Sequence, residues 1–180
     1  MPHRKFDARF YLIRHGQCAA NTRPQLIGGR NPGSPLTPKG VEQARRVGRR
    51  LRGEGIVLDA LFSSSLLRAV QTARLLAAEA GFDRRSIRRT RALDEFSQGA
   101  WEGRPRREVY TTKTLLSINL KANDFVPPGG ESQRMVERRV ANWLEDAFLW
   151  NDGFIRAHPE ARVGIVSHGM DISDVWKNSY

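Results

Sequence analysis

One cysteine in 180 residues leaves no internal disulfide to staple the chain, and a chain of this length can bury a core without one. No apolar run approaches the roughly 20 residues that a membrane-spanning helix needs. The opening stretch "MPHRKFDARF" lacks the apolar centre of a signal peptide. These absences predict a single domain over residues 1–180, in a reducing cytoplasm, with no membrane partner. Acidic residues are also scarce: 19 Asp and Glu face 30 Lys and Arg, a formal charge of +11, which calls for an anionic partner. No aromatic residues interleave with the arginine-rich "FDRRSIRRTR" to stack bases, and no zinc-finger or RRM signature occurs, so nucleic acid is not the expected partner. The four histidines have no paired metal-ligand spacing. A small phosphorylated molecule remains.

What the chain does contain alternates regularly. Phe10 to Ile13 read as a buried strand. Thr37 as N-cap with Pro38 after it opens a helix to about Arg52, because a proline at the first helical position gives up no hydrogen bond. "LDALFSS" reads as a strand, "LLRAVQTARLLAAEAG" as a helix stopped by Gly81, and "SIRRTRALDE" as a weaker strand. "ESQRMVERRVANWLEDAFLW" places Met135, Val136, Val140, Trp143, Leu144 and Phe148 on one side of a long helix, and "ARVGIVSHG" is again a strand. Strands alternating with helices imply an α/β fold with a largely parallel sheet covered on both faces.

Such sheets bind ligands beyond the carboxyl ends of their strands. Arg14 and His15 end the first strand; Arg68 follows the serine cluster after the second; Asp94 and Glu95 end the third; Ser167 and His168 end the last. Two histidines, two arginines and a carboxylate on one rim suit a small anion. Other nucleophiles fit less well. "CAANTR" leaves four residues between Cys18 and Arg23, where cysteine-dependent phosphatases place five, so Cys18 reads as an ordinary buried or half-buried thiol. "FSSSLL" lacks a nucleophile-elbow pattern. Trp101 reads as loop packing, and "PPGGES" as a turn leading into a helix.

The segments "LIRHGQCAAN", "GSPLTPKGVEQARRVGRRL", "FSSSLLRAVQTA", "LDEFSQGAWEG", "PPGGES" and "VGIVSHG", in this order, resemble the histidine phosphatase superfamily, also called the phosphoglycerate mutase-like family. The resemblance runs from about Phe10 to Gly169. It implies a three-layer sandwich and catalysis through a phosphohistidine, with no cofactor and no metal. Carried over by position, it makes His15 the nucleophile. Arg14, Arg68, Asn21 and His168 become the phosphate pocket, and Glu95 the proton donor, whereas the residues alone do not separate Glu95 from Asp94 or Glu102. Gln17 lies beside the pocket, and Gly16 and Gly169 let backbone approach the phosphate.

The chain departs from the family pattern twice. After "VSHG" the family continues with a helix and a further strand, whereas "MDISDVWKNSY" offers at most a short helix, so the closing elements are expected to be missing or short. Between "WEG" and "PPGGES" the mutases of the family carry a longer insertion than residues 104–126 provide, which favours a phosphatase. That segment is expected to form a helical flap over the pocket, with Arg104, Arg106, Arg107 and Lys113 available for a second anionic group. The leading expectation is a metal-independent phosphomonoesterase. The alternatives are a phosphoglycerate mutase-like phosphotransferase and a catalytically impaired arginine-rich binding protein.

Overall fold

The computed structural model describes residues 6–169. Four strands, β1 (Asp7–Arg14), β2 (Ala60–Ser64), β3 (Arg88–Thr90) and β4 (Glu160–Ser167), form one sheet in the order β1-β4-β2-β3. Every pairing is parallel. Among the described residues, six α-helices connect or flank them: α1 (Pro38–Gly53), α2 (Leu67–Ala80), α3 (Arg106–Val109), α4 (Thr112–Lys121), α5 (Gln133–Leu144) and α6 (Asp152–Ala157). The stretch 170–180, where the shortened closing elements were expected, lies outside the described residues.

The expected three layers are present, and strand alternation builds them. Ile13, Leu61 and Val166 face one side of the sheet, against Leu51 of α1 and Ala69, Ala73 and Leu76 of α2. Their neighbours Phe62, Val163 and Ile165 face the other side, against Phe148 and Phe154. Both faces of β2 and β4 are covered, which is why their sequences run apolar without alternation.

The helix signals act as the sequence predicts. Thr37 caps α1, its hydroxyl accepting from the Gly40 N–H at 3.2 Å. Gly81 ends α2 in the left-handed region at φ +78°, which costs a residue without Cβ little. Three details differ. β3 has only three residues and passes at once into a 3-10 turn, Arg91–Leu93. The long helix is α only to Leu144 and continues as a π-helical turn, Glu145–Leu149. Met135 is half exposed, because it lies in the first turn of α5, where its sulfur accepts from the Ser132 N–H at 3.5 Å.

The expected helical segment is present as α3 and α4, joined to the rest through residues 101–106. Ile27 N–H donates to the Arg104 carbonyl at 2.8 Å and Gly103 N–H to the Ile27 carbonyl at 2.9 Å. Trp101 packs beneath it with Ile27, Val109, Tyr110 and Phe125, the loop packing expected of it. Of the cations offered there for a second anion, Arg106 donates to the Pro24 carbonyl at 3.0 Å and lies over Tyr110. Arg104 lies 3.9 Å from Glu108.

Phe148 is 2% exposed and meets Phe10, Phe62, Trp143 and Phe154 edge-on. Phe148→Ala should therefore lower unfolding free energy by about 3–5 kcal/mol. Val57→Ala, at a residue 73% exposed, should change it by no more than about 0.5 kcal/mol. Urea titration of both variants checks the pair.

Candidate active site

Adjacent parallel strands bring the two histidines together. Arg14 of β1 pairs with Ser167 of β4, and the His15 N–H donates to the Ser167 carbonyl at 3.0 Å. The rings of His15 and His168 follow with centroids 5.0 Å apart. Beyond β1 the chain turns under the start of α1. A Cβ on Gly16 would strike the Gly40 carbonyl, and one on Gly40 would strike the Gln17 carbonyl. Gly16 thus makes room for a helix, and Gly169 for the Arg14 guanidinium, whose Cζ would stand 3.3 Å from a Cβ there. Both glycines were expected to let backbone approach phosphate; the close neighbours they admit in the structure are the Gly40 carbonyl and the Arg14 guanidinium. Thr72 holds the turn, accepting from the Gly16 N–H at 3.1 Å and donating to the Arg68 carbonyl at 2.7 Å.

The partners of His15 define its tautomer. Arg68 can only donate, and its Nε lies 3.1 Å from His15 Nε2, so Nε2 is the acceptor. The ring proton is then on Nδ1, 2.7 Å from the Gly16 carbonyl. Burial lowers the His15 pKa from 6.5 to about 4; the Gly16 hydrogen bond opposes this, and Arg68 and Arg14 add to it. A neutral imidazole with its lone pair on Nε2 is the result. Arg68 itself is 3% exposed and also donates to the carbonyls of Gly29, Arg30 and Asn31.

His168 is fully buried. Its Nε2 lies 2.9 Å from the Ser64 hydroxyl, and its Nδ1 has no hydrogen-bond partner among the described residues. Glu95 Oε2 stands 3.8 Å from that Nδ1. Burial holds the Glu95 carboxyl above its usual range, against the Phe96 N–H, Arg68, Arg14 and Arg139, which favour the ionised form. Burial likewise drives the His168 pKa well below the imidazole range, with Arg68, His15, Arg139 and Arg14 acting in the same direction.

The structure separates the three carboxylates that the residue pattern left together. Asp94 is turned away to the serine cluster, accepting from the Ser64 hydroxyl at 2.8 Å and from the Ser65 N–H and hydroxyl. Glu102 accepts from the backbone N–H groups of Arg30, Asn31 and Gln98. Glu95 alone of the three stands at His168.

Arg14 is exposed at the end of β1 and, with His15, Gln17 and Asn21, borders an open cavity of about 670 Å³. Asn21 keeps its side-chain oxygen for Cys18, accepting from its N–H at 3.0 Å and its thiol at 3.2 Å. The amide NH₂ is what it can offer a ligand. Cys18 is buried, as expected. Gln17 ties the loop to α1, its side-chain oxygen accepting from the Thr37 hydroxyl at 2.8 Å.

Sequence reasoning missed the supports. Arg139 of α5 reaches the carbonyls of Ala92 and Asp94 and pairs with Glu131 at 3.2 Å. Glu131 in turn pairs with Arg30 at 3.0 Å. Thr72 could have been found, since it lies one helical turn after Arg68. Glu131 carries no such local signal.

The model of the histidine phosphatase superfamily (branch 1) matches residues 10–175. A 2,3-bisphosphoglycerate-dependent phosphoglycerate mutase of Parvibaculum lavamentivorans is 34% identical over 163 residues, covering 89% of this chain and 74% of that protein. Among solved structures, the alpha-ribazole phosphatase from Shigella flexneri has a TM-score of 0.70 at 27% identity, over 91% of this chain and 75% of that one. A mycobacterial glucosyl-3-phosphoglycerate phosphatase has a TM-score of 0.71 at 25% identity, over 92% and 76%.

A histidine whose pKa falls on folding makes the folded state resist protonation. The unfolded chain therefore takes up the proton first as pH drops from 6.5 toward about 4, and stability is lost across that window. Unfolding free energy should rise with pH through it, and by NMR titration the folded His15 imidazole should begin to protonate only toward the lower end, near its pKa of about 4. Arg68→Met should raise the His15 pKa while leaving it below 6.5, because burial is the larger cause.

Proposed function

The chain belongs to the histidine phosphatase superfamily, and we propose that it is a metal-independent phosphatase that hydrolyses a small phosphomonoester through a phosphohistidine on His15. The observation that carries this reading is the neutral, Nδ1-protonated His15 with its Nε2 lone pair among Arg14, Arg68, Glu95 and His168. A neutral imidazole is a competent nucleophile without a separate base. Its Nδ1–H on the Gly16 carbonyl offsets the positive charge that develops as Nε2 bonds to phosphorus.

In the first step His15 Nε2 forms the N–P bond while the ester P–O bond breaks. Arg68 exchanges its hydrogen bond to Nε2 for a phosphoryl oxygen, and Arg14 and the Asn21 amide take others. Guanidinium groups are planar, permanently charged donors suited to charge spread over three oxygens. Glu95, its carboxyl held above its usual range by burial, gives its proton to the departing alkoxide. In the second step the Glu95 carboxylate takes a proton from water, whose oxygen attacks phosphorus. The N–P bond breaks, and the lone pair returns to His15.

The curated relative named as a 2,3-bisphosphoglycerate-dependent mutase, 34% identical over 163 residues, supports a second reading, in which the phosphoryl group passes to another substrate hydroxyl instead of water. The short segment 104–126 and the two structural neighbours named as phosphatases favour water.

The phosphatase should hydrolyse an aryl phosphate in the presence of EDTA with no bisphosphate primer, whereas a mutase should do so weakly. A relict binding protein should not hydrolyse it at all. Glu95→Gln should slow alkyl phosphate esters by about 10²- to 10⁴-fold and activated aryl esters much less. Equal slowing of both classes would take the acid role from Glu95. Turnover across a series of leaving groups measures this.

A further inference from the structure

The hydrogen-bond chain behind His168 has a direction. Asp94 is buried and, as a carboxylate, can only accept. One of its oxygens lies 2.8 Å from the Ser64 hydroxyl oxygen, a distance that requires the hydroxyl proton to lie between them. Ser64 therefore has only lone pairs left. One accepts from the Leu66 N–H at 3.2 Å, and the other faces His168 Nε2 at 2.9 Å. Two lone pairs cannot face each other at that distance, so His168 carries its proton on Nε2. Its Nδ1, turned toward Glu95 at 3.8 Å, presents a bare lone pair in a fully buried position.

A phosphoryl group in the pocket also presents lone pairs. We propose that Ser64 and Asp94 are positioning residues that lock His168 in the Nε2–H tautomer, so that a phosphoryl dianion binds only as His168 takes up a second proton, on Nδ1. The inference rests on the phosphate-pocket reading of the site. The proton comes from solvent, forms the Nδ1–H bond that the bound oxygen accepts, and leaves again with phosphate.

The groups facing His168 explain why the proton waits for the ligand. Arg14 and the His15 ring from the end of β1, Arg68 from α2 and Arg139 from α5 all oppose an imidazolium there. Glu95 stands at Nδ1, and Asp94 reaches the ring only through Ser64. A dianion among these cations reverses the balance, and the buried Asp94 carboxylate then faces, through Ser64, a ring able to bear charge.

Sulfate is the probe, because it has the shape and charge of the phosphoryl dianion and does not titrate near neutral pH. Two-bond ¹H–¹⁵N NMR on the full chain reads each histidine nitrogen directly. Free His168 should be neutral with its proton on Nε2; the sulfate complex should have both nitrogens protonated. Sulfate affinity should fall about tenfold per pH unit on the alkaline side, as linkage to one proton requires. In Ser64→Ala the Nε2 constraint is gone, so the bound ring should stay neutral with its proton on Nδ1, and that pH dependence should vanish. Free His168 protonated on Nδ1, or a ring that stays neutral in the wild-type sulfate complex, would overturn the inference and leave the phosphatase reading standing. Absence of any sulfate binding would remove both.

Discussion

The parallel pairing of β1 with β4 is the constraint on which the site depends. Because Arg14 sits opposite Ser167, His15 and His168 leave neighbouring strands at the same level, and their rings approach within 5.0 Å. A slip of one residue would turn every β1 side chain to the other face, taking Ile13 out of its core beside Val166 and breaking the His15 N–H bond to Ser167. The hydrophobic core therefore enforces the register that the chemistry needs. Gly16, pressed against Gly40 and held by Thr72, then turns the chain immediately, so that His15 ends a strand and cannot drift along a loop.

The second organising feature is burial among cations. Imidazoles and a carboxyl group are enclosed together with Arg68, and burial pushes each toward its neutral form. That is the protonation pattern an acid and a nucleophile need near neutral pH. Arg68 has its donors satisfied by three loop carbonyls and His15. The peptides carrying two of those carbonyls, Gly29 and Arg30, are held in turn by Glu102, which accepts from the Arg30 and Asn31 N–H groups. The guanidinium is thus fixed by protein groups, so that an anion bound there would require little reorganisation of it.

Much of this was legible in the sequence because local signals carry it. Phe10 to Ile13 running into "RHG", Thr37 before Pro38, Gly81 after an apolar helix and two "HG" pairs after buried strands announce strands, caps and a shared rim. The rest depends on contacts distant in sequence. Nothing near Glu131 announces its pairing with Arg30, and nothing near Asp94 says that its carboxylate turns to Ser64 while that of Glu95, its neighbour, faces His168. Met135 fits the helical stripe by spacing yet lies half exposed, since spacing does not reveal which first-turn residue is drawn into capping. The shortness of β3 reflects its place at the sheet edge: its two arginines, Arg88 and Arg89, are exposed, and no strand pairs with its outer side among the described residues.

The central claim is that the Nε2 lone pair of His15 receives the phosphoryl group. Rapid mixing with an aryl phosphate, an alkaline quench that preserves phosphoramidates, and peptide mass spectrometry would test it directly. The account predicts a phosphoryl group on the peptide bearing His15, attached at Nε2 and absent from His15→Ala. Burst turnover with no labelled histidine, or a label on His168 or on a serine of the 63–65 cluster, would contradict it.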